Sequence, residues 1–319
     1  MSNDNNNSKS NGSSHWPSLL PRERAAKSKF LWRTGSFFVV PSVAACAKIW
    51  LNWFNRTYIQ NHDVFLKTVD DHYKKRNYCL ITVSNHHSCL DDPGLWGALF
   101  PWKWIFNSER HRWSAAAHDV CFTKPIHTTF FSLGKTFPVC RGGGIHQVAL
   151  DYALDLMRRN EFLHVFPQGR VVDDYHDHDL KFDPSADSIS KAKQLSLRDG
   201  DFHKDYELKW GLAHLIIEYL SSTPAGTDLL ILPFYHLGMH KVLPNDKPYI
   251  PRRGNKVIVS VREGGPIVFN LDFLKKVCYE NRHNLTIEQK RHMIMSFVEL
   301  EMKLVKLKAL EFRQKLSDF

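Results

Sequence analysis

Tyr78-Cys79-Leu80-Ile81-Thr82-Val83-Ser84-Asn85-His86-His87-Ser88-Cys89-Leu90-Asp91-Asp92-Pro93 decides how the rest of this chain is read. The first six residues form a short apolar, β-branched run of the kind that makes a buried strand. The turn that follows carries imidazoles and carboxylates. A free imidazole titrates near neutrality and can take a proton from a hydroxyl. A carboxylate on its other ring nitrogen fixes the tautomer and stabilises the imidazolium. His86 with Asp91 and His87 with Asp92 share the same spacing, and spacing does not choose between them. The pair is two-thirds of a Ser-His-Asp triad without its nucleophile, so the attacking hydroxyl is expected to come from a substrate. Ser88 lies between the two but lacks the Gly-x-Ser-x-Gly surroundings that expose a nucleophile on a strained elbow. A plainer reading makes an Asp the cap of a helix with Pro93 in its first turn.

Composition narrows the class. The chain has 319 residues, 43% hydrophobic and 24% charged, enough for one large α/β domain with a substantial core. A formal charge of +10 points to anionic partners. No zinc-finger spacing, helix-turn-helix or ribonucleoprotein pattern supports nucleic acid, which leaves acidic lipid or phosphorylated metabolites. The six cysteines are dispersed with no Cys-x-x-Cys, so neither a zinc site nor a disulfide framework is expected.

Residues 1–30 read as a disordered basic tail and 31–60 as a helical segment at a membrane interface. The apolar run Phe37 to Ala47 is interrupted by Pro41 and falls short of the roughly 20 residues a spanning helix needs. A helix dipping into one leaflet and a buried helical hairpin both fit it. Residues 61–280 alternate strands and helices, with 172–206 as an inserted loop. Strands are expected at Tyr78–Val83, Thr136–Cys140, Phe162–Phe166, Leu229–Phe234 and Lys256–Val261, and helices at Pro93–Phe100, Ile145–Arg159 and Leu208–Leu220. Within the insertion, the tract Asp173 to Asp179 mixes histidine and aspartate, a possible ion-binding composition, although such tracts are more often only solvated. Residues 281–319 form an amphipathic helix whose stripe is Met293, Phe297, Leu300, Leu304 and Leu307.

Two further turns add charge. Lys135 opens an apolar strand that ends in Arg141-Gly142-Gly143-Gly144 before a helix, which suits a phosphate: glycines allow close approach and a helix start offers free N–H groups. Phe166-Pro167-Gln168-Gly169-Arg170 is a Pro-x-Gly turn with an amide and a cation.

The order Asn85-His86-x-Ser88-x-x-Asp91, then Gly134-x-x-x-Pro138-x-x-Arg141, then Phe166-Pro167-x-Gly169, then the apolar strand with Pro233, resembles the glycerolipid acyltransferase superfamily. The resemblance covers most of Tyr78 to Val261. It implies an α/β mixed sheet flanked by helices, with an N-terminal membrane-associated helix. It maps the family base onto His86 and its carboxylate onto Asp91. Lys135, Arg141, Gln168, Gly169 and Arg170 become the substrate and phosphate contacts, with no metal and no cofactor. Its nearest branch implies a CoA-independent phospholipid–lysophospholipid transacylase that remodels cardiolipin, with cardiolipin and phosphatidylcholine as substrates. That branch works on an anionic mitochondrial membrane, inner or outer, at the intermembrane-space face. An acyl-CoA-dependent lysophospholipid acyltransferase is the same-class alternative, and a non-enzymatic membrane-bound metal-binding scaffold the different-class one. Oligomeric state stays open. One departure stands out: Gln168 sits where the family carries Glu, and an amide supplies no negative charge.

Overall fold

The computed structural model describes residues 21–172, 208–224, 226–274 and 285–317. Helix α1 (Pro21–Ile49) runs into a π-helical turn at Trp50–Phe54. Strand β1 (Arg56–Gln60), helix α2 (His62–Lys75) and strand β2 (Cys79–Val83) follow. Then come α3 (Asp91–Leu99), α4 (Trp102–Ile105), β3 (Trp113–Ala117), α5 (His118–Cys121), α6 (Pro125–Leu133) and β4 (Thr136–Val139). Helix α7 (Val148–Arg158) and strand β5 (Phe162–Val165) lead to α8 (Gly211–Ser222), β6 (Leu229–Leu237) and α9 (Met239–Val242). Strands β7 (Lys256–Val261) and β8 (Ile267–Phe269) and helix α10 (Ile287–Ser317) end the described chain.

The strands form one mixed sheet in the order β1-β7-β6-β2-β5-β3-β4, with β8 on β6. Strands β2, β5, β3 and β4 run parallel, and β6 runs parallel to β2. Only β6 meets β7 and β8 antiparallel. The C-terminal ends of β2, β5, β3 and β4 therefore share one edge, where a parallel α/β sheet offers its loops to ligands. Strand β2 is buried throughout, as its continuous apolar run requires. Its side chains alternate between two cores: Cys79, Ile81 and Val83 pack with residues of α7, α8 and α10, and Leu80 with residues of α2 and α3.

The five anticipated strands are present within a few residues of their expected bounds. Three more were not anticipated. Strand β1 corrects the expectation of a helical segment through residue 60, because Thr57, Tyr58 and Ile59 favour extended backbone and pair with β7. Strand β3 is rich in alanine, a weak strand former, and the β-favouring Ile267-Val268-Phe269 of β8 is too short a run to mark a strand. The tail also ends earlier than expected. Helix α1 begins at Pro21, a residue suited to the first helical turn, and Arg22 to Lys29 are mostly helix formers. Residues 1–20, the insertion's tract Asp173 to Asp179 and residues 281–284 lie outside the described residues.

Pro41 does not break α1, and Phe30–Phe54 forms 25 residues long and apolar enough to cross a membrane by length and composition. One face is docked: Val40, Ala44, Ala47 and Leu51 are buried against the domain. The other leaves Phe30, Leu31, Phe37, Phe38, Trp53 and Phe54 exposed. The docked face owes its closeness to Gly97 of α3. A Cβ there would lie 2.6 Å from Lys48 N and 2.7 Å from Ala44 O. Lys48 Nζ donates to the carbonyls of Gly97 at 3.2 Å and Phe100 at 2.8 Å, closing the C-terminus of α3 with a cation.

The stripe on α10 is rotated from its expected face. Ile294, Met295, Val298, Met302, Val305 and Ala309 are buried, whereas Phe297, Leu300, Leu304 and Leu307 are half-buried at its margin. Lys306 is buried too, its ammonium 5.7 Å from the Tyr235 ring centroid, because a long alkyl stem can line the core while its head meets an aromatic face.

Two predictions follow from packing and burial. Gly97→Ala forces backbone apart at α1–α3 and should cost about 1–3 kcal/mol, an overpacking penalty. It should speed hydrogen exchange over residues 36–51 more than in β2. Separately, burial pushes the His72 imidazole down to about 4 and the His111 imidazole down to about 3. Unfolded histidine titrates near 6.5, so below that pH the unfolded chain binds protons the folded chain refuses. Stability is full above about pH 6.5 and falls by up to roughly 1.4 kcal/mol per pH unit per histidine toward pH 4. Urea midpoints at pH 7, 6 and 5 should descend in that order.

Candidate active site

At the end of β2 the chain leaves the sheet, and Asn85 replaces strand pairing with its side chain. Asn85 Nδ2 donates to His236 O at 2.9 Å, and His236 N donates to Asn85 Oδ1 at 2.9 Å. The amide thus fastens the turn to the end of β6. Asp91, the first residue of α3, is wholly buried beneath that turn. Its Oδ2 accepts from His87 N at 2.7 Å, Ser88 N at 2.9 Å and His86 Nδ1 at 2.9 Å. A carboxylate only accepts, so Nδ1 carries the ring proton and Nε2 keeps the lone pair. Burial opposes ionisation of Asp91, but the imidazoles of His236 and His86 and the Ser88 N–H outweigh it and hold the carboxyl below its ordinary value. His86 itself keeps a fifth of its side chain exposed and stacks on Phe166, ring centroids 4.1 Å apart.

The other register is structural. Asp92 accepts from Trp96 Nε1 at 2.7 Å, from Arg112 and from the Ser114 hydroxyl. That buried ion pair ties α3 to β3. His87 is buried with Asn85 Nδ2 at 3.1 Å from its ring, and its carbonyl accepts from Asn245 at 2.9 Å. Ser88 is buried, its Oγ donating to Leu243 O at 2.8 Å and accepting from Leu90 N at 3.2 Å. That hydroxyl is fully engaged and makes a poor nucleophile. Burial raises the Cys89 thiol above its ordinary value, which disfavours a thiolate beside the pair.

Strand β5 is next to β2 and delivers the second turn to the same edge. Gln168 Oε1 accepts from His86 N at 2.6 Å, so the residue that departs from the family pattern braces the main chain of His86. Gly169 sits at φ +67°, a conformation glycine adopts freely. Lys209 N donates to Pro167 O at 2.7 Å, which brings the Lys209 side chain against Gly169. Arg170 is exposed beside them. Arg141 lies beyond the end of β4, three strand positions from β2, or roughly 14 Å at ordinary strand spacing. It pairs with Asp119 of α5 at the surface. Gln147 closes the intervening glycine loop, accepting from Cys140 N at 2.9 Å and donating to Gly144 O at 2.6 Å.

Lys135 belongs elsewhere, which corrects its expected role. It precedes β4, at the opposite edge of the sheet from His86. It is buried, and Nζ donates to His111 O at 3.0 Å, 5.7 Å from the Trp113 ring. Burial pushes its ammonium down to about 8. Its side chain lines a cleft of about 1520 Å³ under the N-terminal half of α1, shared with Trp32, Tyr73 and Arg76. The strand expected at Thr136–Cys140 already stood between Lys135 and Arg141, and because it crosses the sheet the two cations emerge at opposite edges, where one phosphate does not meet both. Asn85, Phe166, Lys209 and His236 were not singled out as site residues, although each stands within a stretch that carries the family pattern.

Residues 66–236, more than half of the chain, match the family described as Acyltransferase. The chain belongs to the acyltransferase family. This acyltransferase is 35% identical over 256 residues to tafazzin of Drosophila melanogaster, covering 80% of its own length and 57% of the fly protein. It is 32% identical over 267 residues to the N-acylphosphatidylethanolamine synthase of Arabidopsis thaliana, covering 82% of its own length and 81% of the plant protein. It thus spans little more than half of the fly relative and most of the plant one. By sequence it is a tafazzin-like acyltransferase. A crystal structure of the 1-acyl-sn-glycerophosphate (LPA) acyltransferase PlsC from Thermotoga maritima aligns with TM-score 0.46 and 15% identity over 92% of this chain and 86% of that one.

The two carboxylates should separate in experiment. Asp92→Asn strips a buried charge partner from Arg112 and should cost about 3–5 kcal/mol in a urea melt. Asp91→Asn should depress acyl transfer far more than it depresses the melt midpoint. The reverse pattern would assign catalysis to the Asp92 register.

Proposed function

We propose that this acyltransferase acts on phospholipids as a CoA-independent transacylase, moving an acyl chain from a phospholipid such as phosphatidylcholine to a lysophospholipid, with cardiolipin as the remodelled product. The observation that carries the reading is the His86–Asp91 pair at 2.9 Å, with an accessible ring and an engaged, buried Ser88 beside it. Such a pair has a base and an orienting carboxylate, and its hydroxyl arrives with the substrate.

In the proposed step, His86 Nε2 takes the proton as the lysophospholipid oxygen bonds to the ester carbonyl carbon of the donor. Asp91 stabilises the imidazolium so formed. The tetrahedral intermediate collapses by breaking the donor's C–O bond, and the imidazolium returns the proton to the departing oxygen. One ester replaces another, so no external acyl-activating energy is needed. Arg170 and Arg141 supply phosphate-binding charge, with Gln168 and Gly169 shaping the turn between them. Lys209 joins this set because its side chain lies against Gly169.

We further propose that α1 holds the domain at an anionic mitochondrial membrane, on the intermembrane-space face. Its exposed phenylalanines and Trp53, together with the chain's +10 charge, suit an acidic bilayer surface.

Full-length protein should transfer labelled acyl chains from phosphatidylcholine to monolysocardiolipin in vesicles with no CoA present. His86→Ala should lower the rate by about 10²–10⁴, the usual contribution of a general base. Transfer that appears only on addition of acyl-CoA would instead establish the acyl-CoA-dependent alternative.

A further inference from the structure

We propose that His236 is a positioning residue for the proposed base pair, holding the Ser84–Ser88 turn, and through it Asp91, in register by one N–H. This inference rests on the assignment of His86 and Asp91 as the reacting pair. His236 is the penultimate residue of β6 and is wholly buried. Its Nε2 lies 2.8 Å from Asn85 O and 3.5 Å from Asp91 Oδ2. A carbonyl oxygen only accepts, so Nε2 carries the proton and Nδ1 keeps the lone pair. Nδ1 is buried and has no hydrogen-bond partner. The ring therefore has one working polar atom, aimed at the junction of Asn85 and Asp91.

An orphaned buried acceptor is destabilising, and an apolar side chain of similar size would avoid that cost. What the imidazole offers in return is a donor to the Asn85 carbonyl of the reacting turn, with its ring edge 3.5 Å from the Asp91 carboxylate. The main chain of His236 is held in turn by the Asn85 amide at 2.9 Å on both sides. Asn85 and His236 thus grip each other three times, twice through backbone and once through the ring. Asp91 lies between two imidazoles: His86 at 2.9 Å, which exchanges protons, and His236 at 3.5 Å, which stays neutral in its buried site. The second imidazole donates to Asn85 O on the core side and so seats the turn whose N–H groups hold Asp91 Oδ2 toward His86. His87 is also close, with ring centroids 5.4 Å from His236, and His164 lies in the same buried layer.

The test compares His236→Leu, His236→Gln, Asp91→Asn and the double variant His236→Leu/Asp91→Asn, with His86→Ala as control, assayed with and without acyl-CoA. His236→Leu should lower kcat by about 10- to 100-fold, less than loss of the base, with KM little changed. His236→Gln places an amide N–H near the lost Nε2–H and should recover most of that rate. In the Asp91→Asn background, His236→Leu should have little further effect, because its action runs through the carboxylate. A urea melt on each variant separates these effects from unfolding. A rate unchanged in His236→Leu, or a loss that Gln does not restore and that multiplies fully with Asp91→Asn, overturns the inference. Full activity in His86→Ala would overturn the underlying assignment instead.

Discussion

A buried carboxylate oxygen organises this molecule's working edge. Asp91 Oδ2 gathers two backbone N–H groups and one imidazole from three consecutive turn positions, His86, His87 and Ser88. Placing an ion beneath a sheet edge is costly unless donors surround it. Those donors must come from the Ser84–Ser88 segment, so the charge dictates the fold of the turn. The turn in turn dictates where the His86 ring stands, and Phe166 of the neighbouring strand end stacks against it. The catalytic geometry is thus a by-product of satisfying one oxygen of one buried ion, the other, Oδ1, having no hydrogen-bond partner.

The rest of the architecture serves that turn from two sides. Parallel strands bring the ends of β2 and β5 together, so the amide of Gln168 meets the main chain of His86. Beneath them, Asp92 does the opposite job with the same chemistry. Its charge is spent on Arg112, Ser114 and Trp96, which lock α3 to β3. Adjacent aspartates face different layers because the chain at Asp92 departs from helical backbone, with φ −110° and ψ 98°.

Much of this was legible in the residues. The buried strand, the turn, and the alternation of strands and helices follow from β-branched runs and glycine turns. The choice between His86–Asp91 and His87–Asp92 was not, because both have the same spacing and only the third dimension shows which aspartate meets Arg112. Lys135 illustrates a different failure. Sequence proximity to Arg141 suggested a shared role, but a four-residue strand carries the two to opposite edges of the sheet. His236 was hidden for a third reason: its partner Asn85 is 151 positions away, and no local pattern reports a contact at that separation. The stripe on α10 was misphased because its margin and its buried face are both apolar.

Gln168 has a consequence for how the site tolerates its surroundings. A carboxylate bracing the backbone of His86 would weaken its hold as it took up a proton, since a protonated acid is a weaker acceptor for an amide hydrogen. A primary carboxamide does not ionise in water across the biological range. The strut between the two strand ends therefore keeps its strength at a lipid surface, where local acidity departs from bulk, and the response to acidity is left to the reacting pair itself.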